Sequence, residues 1–251
     1  KFAGHKKIIV WWNKSFEEAG KMSIGGMLAA CFEKFPEVPA KNSLRYFLAF
    51  NRFVPSFISN LLPVKGYELY YQLKKDDIVV DVGAYPGDYA IFAGRKVGNG
   101  GKVICFEPNP ENRKILIKNI EQEELKNIII IPKGLWNENT ILKIKEDELS
   151  SSVLTKSGET IIDVVRLDDE LEKLGIEKID FLKMDIEGAE IEAIEGCRKI
   201  LKKSNANVAI ASYHIVDGKM TSNFIENFLI KLGYNVKSDF PKHLTTYGWK
   251  K

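Results

Sequence analysis

A chain of 251 residues, 45% hydrophobic and 28% charged with only 19 Gly and 9 Pro, suits one large domain with an appendage and excludes collagen-like, low-complexity and largely disordered classes. Its 37 basic and 34 acidic side chains leave a net charge of +3. Residues 1–66 hold 10 basic against 4 acidic side chains, so the basic excess sits in the N-terminal quarter, and only six of the cations are arginine, which disfavours a nucleic-acid interface built on guanidinium forks.

The longest uncharged run near the N-terminus, residues 53–64, is 12 residues, short of the ~20 that span a bilayer, so no transmembrane segment is expected. The basic stretch 1–7 and apolar residues 8–12 make a poor signal-peptide core with no small-residue cleavage site, and a cytoplasmic protein is expected. Cys31, Cys105 and Cys197 are odd in number and far apart, as buried reduced thiols are.

Before Gly66 the chain reads as helical. Leu44, Phe47, Leu48, Phe53, Phe57 and Leu61 belong to an apolar stripe at three- and four-residue steps, with Pro55 as a break. The stripe predicts packing against the main domain, a lid over a pocket, or an interfacial contact. The expected division is therefore a helical extension over 1–65 and a main domain over 66–251.

After Gly66 strands and helices alternate, the pattern of a doubly wound α/β sheet. Strands are predicted at 78–82, 102–106, 128–131, 179–184 and 208–213. Helices are predicted at 88–97, 110–124, 189–203 and 221–232. Segments 139–145, 152–155 and 160–166 read as a β meander inserted into the alternation, and 234–237 with 245–249 as a terminal antiparallel hairpin.

The most informative stretch is Val79-Val80-Asp81-Val82-Gly83-Ala84-Tyr85-Pro86-Gly87-Asp88. A strand ending in an acid and running through a glycine turn into a helix forms the ligand crevice of doubly wound sheets. The G-x-x-x-G spacing from Gly83 to Gly87 departs from the G-x-G-x-x-G that admits a pyrophosphate. Asp81 suits a positively charged ligand group, such as the amino group of a sulfonium amino acid. The second strand ends Phe106-Glu107-Pro108-Asn109, where a carboxylate can accept hydrogen bonds from ribose hydroxyls. Jointly, the glycine turn and Glu107 point to S-adenosylmethionine. A third cluster, Lys183-Met184-Asp185-Ile186-Glu187-Gly188-Ala189-Glu190, delivers Asp185 and Glu187 to the same sheet edge, with capping of the next helix as the plain alternative for Glu187.

These motifs, together with Leu167-Asp168-Asp169, resemble the FkbM-type S-adenosylmethionine-dependent methyltransferases over roughly residues 66–238. The resemblance implies a class I methyltransferase fold: a Rossmann-like, mostly parallel sheet with a C-terminal antiparallel hairpin. It implies S-adenosylmethionine as cofactor and a hydroxyl acceptor on a sugar or other small metabolite. By position, Asp81, Gly83, Ala84, Tyr85 and Gly87 would line the methionine and ribose parts. Glu107 and Pro108 would meet the ribose, Asn109, Gly134 and Leu135 the adenine side, and Asp185 the boundary with the acceptor. Tyr85 stands where the family often has Asn, and Ser212-Tyr213-His214 where it often has Glu.

For methyl transfer to an alcohol, His214 at the end of a strand is the expected base, Asp185 orients the acceptor or serves as base itself, and Glu187 completes the expected catalytic set. The same three side chains form a conceivable divalent-metal set, but no metal is expected. The rivals are a nucleic-acid methyltransferase, which lacks its [DNS]-P-P-[YF] loop here, and a non-catalytic cofactor-binding scaffold. The expected partner is a small-molecule or glycan acceptor.

Overall fold

The computed structural model describes residues 66–146, 152–155, 160–239 and 243–250. The expectations for residues 1–65 lie outside them, as does Cys31. β1 (Ile78–Val82), β2 (Lys102–Phe106) and β3 (Ile128–Ile131) alternate with helices α1 (Asp88–Val97) and α2 (Pro110–Glu121). After β4 (Gly134–Leu135), β5 (Thr140–Glu146), β6 (Ser152–Thr155) and β7 (Thr160–Val165) comes α3 (Leu167–Lys173). β8 (Phe181–Met184) leads to α4 (Glu190–Glu195) and α5 (Arg198–Lys203), and β9 (Asn207–Ala211) to β10 (Ile215–Val216) and β11 (Lys219–Met220). The chain closes with α6 (Thr221–Lys231), β12 (Asn235–Asp239) and β13 (Thr245–Trp249).

The main sheet has the order β12-β13-β9-β8-β1-β2-β3. β3, β2, β1, β8 and β9 run parallel, and β13 is antiparallel to both β9 and β12. This is the expected doubly wound sheet with its terminal hairpin. Side-chain alternation along each strand explains the two covering layers. Val80, Val82, Ile104, Phe106, Leu182 and Met184 share one core with α3 to α6, while Val79, Val103, Cys105 and Phe181 share the other with α1 and α2. The parallel strands are buried on both faces and so read as near-continuous apolar runs. Cys105 and Cys197 are buried, reduced thiols.

The inserted segment folds as a separate sheet, β4-β7-β5-β6, joined to the alternation by a parallel β4–β7 pair that a meander would not contain. One further detail differs from the sequence pattern. The helix expected over 189–203 breaks into α4 and α5 at Gly196, which packs so closely on Trp136 that an added Cβ would collide with its carbonyl oxygen. The new start at α5 is capped from a distance: Asp168 accepts from the N–H groups of Lys199 at 2.9 Å and Ile200 at 2.8 Å. The Leu167-Asp168-Asp169 motif thus has a structural purpose.

No helix among the described residues is long and apolar enough to cross a membrane.

Candidate active site

A cleft opens beyond the carboxyl ends of β1, β2 and β8, where the order of the sheet reverses. Its mouth is open to solvent. Gly83 begins the turn after β1 at φ 75°, a left-handed conformation that favours glycine. A Cβ there would collide with the carbonyl oxygen of Asp185, so glycine lets the turn after β1 lie directly against the turn after β8. The N–H groups of Gly83 and Ala84 both donate to the Phe106 carbonyl, at 3.1 and 3.3 Å, which ties the turn to β2.

Glu107 follows β2 and lines the cleft while only 5% exposed. Burial pushes its carboxyl up to about 7, against the pull of the backbone N–H groups of Asn109 and Tyr85. The Asn109 N–H reaches Oε1 at 3.0 Å. Arg113 on α2 donates to the carbonyls of Glu107 and Pro108, at 3.1 and 2.9 Å, and so fixes the backbone that presents the carboxylate. Next to it, Phe106, Pro108, Gly134 and Leu135 continue into Ile144, Ile162 and Val164 of the second sheet. The result is one buried carboxylate beside an apolar wall, complementary to a ribose joined to a flat base.

Of the residues expected from sequence, Gly83, Tyr85, Glu107, Pro108, Gly134, Leu135, Asp185 and Glu187 line this cleft. Asp81, Ala84, Gly87 and Asn109 do not. Ala84 is buried, and Gly87 at φ 108° is the N-cap of α1. The Asn109 side chain accepts from the N–H groups of Glu111 and Asn112 at 2.8 and 3.2 Å, so it caps α2, with Pro110 at the first helical position.

Asp81 meets its positive charge inside the fold. It is fully buried and pairs with Lys183 Nζ at 2.9 Å, a neighbour fixed by the Asp81–Lys183 register of the parallel β1–β8 pair. Burial raises the Asp81 carboxyl to about 6, while Lys183 pulls the other way. Burial works against the Lys183 charge too, but Asp81 and Asp185 hold its ammonium above the usual lysine range. Lys183 also donates to the carbonyls of Gly83 at 2.8 Å and Val82 at 3.3 Å, so it pins the glycine turn from below. A lysine inside an otherwise apolar strand, paralleled by a lone aspartate in another, is the sequence signal for this pair.

The far end of the cleft is built around Asp185. Its Oδ2 accepts from Tyr67 Oη at 2.8 Å and lies 3.4 Å from His243 Nε2, whereas its buried Oδ1 has no hydrogen-bond partner among the described residues. Burial disfavours the charge, yet His243, Lys183 and Tyr67 together hold the carboxyl below its usual range. Tyr213 stands edge-on to His243 with ring centroids 4.6 Å apart. Tyr67, Tyr213 and His243 carry no local motif; distant chain segments bring them together.

His214 does not stand as a free base. Its Nε2 lies 3.4 Å from Glu187 and its Nδ1 3.2 Å from the fully buried Glu190. Burial opposes the charge, but the two carboxylates raise the imidazole to about 10, so it is an imidazolium at neutral pH and has no lone pair to offer. Glu187 sits at φ 57° in the turn after β8 and does not cap α4. No side chain caps α4; Glu190 instead accepts from the N–H groups of Ile186 at 2.9 Å and Gly188 at 3.1 Å and so holds the turn that precedes the helix. Asp185, Glu187 and His214 each bring a ligand atom within 4.8 Å of the others, a spacing compatible with a divalent ion.

A family model described as the methyltransferase FkbM domain matches residues 81–236. Among curated relatives, the methyltransferase sdnD of Sordaria araneosa is 26% identical over 160 residues, 49% of this chain and 61% of that protein. The hexuronic acid methyltransferase AglP of Haloferax volcanii is 25% identical over 137 residues, 53% of this chain and 55% of that protein. The chain therefore spans little more than half the length of the curated relatives it matches. A solved FkbM methyltransferase from Methylobacillus flagellatus KT has the same fold, with a TM-score of 0.56 and 18% identity over 89% of this chain and 58% of that one.

Proposed function

The chain belongs to the FkbM methyltransferase family, whose methyl donor is S-adenosylmethionine, and from that premise we propose that it methylates a hydroxyl oxygen of a sugar or another small metabolite. The observation that carries this reading is the position of Asp185. It lines the cleft and at the same time holds the Tyr67 and His243 rim at its far end.

The residues fit the cofactor. Glu107 is a buried carboxylate with little but backbone N–H groups around it, placed to accept from two ribose hydroxyls. Leu135, Ile144, Ile162 and Val164 give the adenine an apolar wall, and Tyr85 and Asp185 border the methionine end. Asp185 Oδ1, buried and without a donor among the described residues, suits an ammonium or an acceptor hydroxyl. The bound cofactor supplies an electrophilic methyl group on a positively charged sulfur.

Everything else is positioning. Holding the acceptor oxygen in line with the methyl group is worth up to roughly 7–11 kcal/mol. Asp185 and Glu187 accept from the acceptor's hydroxyls, and the charged His214 fixes Glu187 in its left-handed turn. The half-buried Tyr213 offers an aromatic surface for a sugar ring. The AglP relative, which by its name acts on a hexuronic acid, supports the sugar class.

The reading is tested by incubating the protein with methyl-labelled S-adenosylmethionine and a panel of methyl glycosides and glycosiduronates, then locating the label by mass spectrometry. An O-methyl ether at a sugar hydroxyl supports it, and a methyl ester at the carboxylate does not. Labelling of nitrogen or carbon compounds, with every sugar left unlabelled, would overturn it.

A further inference from the structure

Two strand ends that neighbour each other in the sheet meet at the far end of the cleft. β8 and β9 pair in parallel, so the turn after β8, with Asp185 and Glu187, lies beside the residues after β9, with His214. One ligand atom from each of the three lies within 4.8 Å of the other two. No local motif announces this spacing, and no metal is expected from the sequence.

We propose that Asp185, Glu187 and His214 form a binding site for one divalent first-row metal ion. The atoms that the rest of the fold leaves unspent support it. Asp185 gives Oδ2 to Tyr67 at 2.8 Å, whereas its Oδ1 and His214 Nε2 are both buried and make no hydrogen bond among the described residues. Nε2 lies 3.4 Å from Glu187 Oε2, so the imidazole and this carboxylate already face each other.

Behind the imidazole, Nδ1 lies 3.2 Å from Glu190 Oε1. Glu190 is fully buried and held by the N–H groups of Ile186 and Gly188. A carboxylate fixed behind one ring nitrogen orients the other toward a metal and raises its basicity, the outer arrangement typical of metal-bound histidines. Glu190 is thus a positioning residue, and the other three are ligands.

Charge points the same way. Asp185, Glu187 and Glu190 bring three carboxylates around one imidazole, and Lys183, behind Asp185, is paired with Asp81 at 2.9 Å. In the ion-free protein the proton on His214 offsets part of this charge. A divalent ion takes the place of the Nε2 proton, which is released on binding. Two carboxylates and an imidazole suit Mn²⁺ or Zn²⁺ better than Mg²⁺ or Ca²⁺, which prefer oxygen ligands alone. Asp185 and Glu187 also line the cleft, so the coordination positions that the protein leaves open face the proposed acceptor space.

The site goes beyond the methyl-transfer reading, and its test needs neither cofactor nor acceptor. Protein freed of metal with a chelator, then dialysed, is titrated with Mn²⁺ near neutral pH while the free ion is followed by electron paramagnetic resonance. One equivalent should bind, and Mg²⁺ should displace it only at about tenfold or greater excess. Glu187→Gln changes a side chain 39% exposed and should leave the fold intact by circular dichroism. It should weaken Mn²⁺ binding at least ~10-fold, and Glu190→Gln about 10- to 100-fold through the imidazole. Pulsed resonance of the bound ion should show coupling to an imidazole nitrogen, which His214→Gln abolishes. No stoichiometric binding at millimolar Mn²⁺, equal affinity in folded Glu187→Gln, or a bound ion without nitrogen coupling overturns the proposal. A panel without any methylated sugar would remove the hydroxyl-acceptor reading alone.

Discussion

The two ends of the cleft solve the same electrostatic problem differently. At the end proposed for the cofactor, Glu107 is a buried carboxylate satisfied by the backbone N–H groups of Asn109 in its own turn and Tyr85 in the turn after β1, and its backbone is clamped by Arg113 six residues on. At the other end, Asp81, Asp185, Glu187 and Glu190 are matched by Lys183, His214, Tyr67 and His243, drawn from both ends of the domain. The first arrangement rests on backbone groups of two strand-end turns. The second pairs side-chain charges across the assembled sheet, and it should be the first to fail when one partner is removed.

That difference can be broken most severely at Lys183. In Lys183→Met, Asp81 is left buried without its cation, and a loss of about 3–5 kcal/mol in denaturant unfolding is expected. Asp81→Asn combined with Lys183→Met should recover more than half of it, because position 81 then carries no buried charge. Additive losses in the double variant would show that the pair is not coupled.

His214 gives the next largest effect. His214→Gln leaves Glu190 without its ionic partner and should cost about 2 kcal/mol at pH 7. The sign with pH follows from the raised imidazole. Its contribution is complete below its ordinary value, near 6.5, and is lost as pH rises through about 10. Unfolding measured from pH 7 to 10 should therefore show the wild type converging on the variant.

Glu107 should respond in the opposite sense for binding. Its carboxyl ionises at about 7 in the folded protein, and only the carboxylate accepts from both ribose hydroxyls. Cofactor affinity is expected to rise about tenfold from pH 6 to pH 8, a change that disappears in Glu107→Gln. Because this carboxyl is raised on folding, its contribution to stability is present below about 4.3 and is lost as pH climbs through about 7. A binding constant flat over this range would mean that Glu107 does not touch the ligand.

The smallest effect is expected at Tyr67→Phe, which removes one hydrogen bond to Asp185 and should cost about 1 kcal/mol of stability. Denaturant unfolding of the variant measures it, and an unchanged unfolding free energy would show that this hydrogen bond adds nothing to stability.

The same contrast governs how much of the protein is legible in its sequence. The cofactor end is, because Gly83, Glu107 and Pro108 sit on strand ends whose β-branched runs and following helices are local signals. The sheet and its terminal hairpin follow from periodicity in the same way. Asp81 shows the limit of that logic: its place at a strand end was visible, but the register that sets Lys183 beside it was not. Asn109 likewise reads as a ligand by position and as a helix cap in three dimensions. The break between α4 and α5 falls at Gly196, which meets Trp136, a contact 60 residues away in sequence. Two-residue ladders such as β4 and β10–β11 are too short to leave a periodic trace. Tyr67 and His243 flank the domain's first and last strands, and only the closure of the β-sheet brings both to Asp185.

Calorimetric titration of the wild type and Glu107→Ala with S-adenosylmethionine and S-adenosylhomocysteine tests the central claim most directly, that the cleft beyond β1 and β2 is the cofactor site. Micromolar binding of both compounds to the wild type, lost in a variant that remains folded, is the result predicted. Absence of binding to folded wild type, or equal affinity in Glu107→Ala, would contradict it.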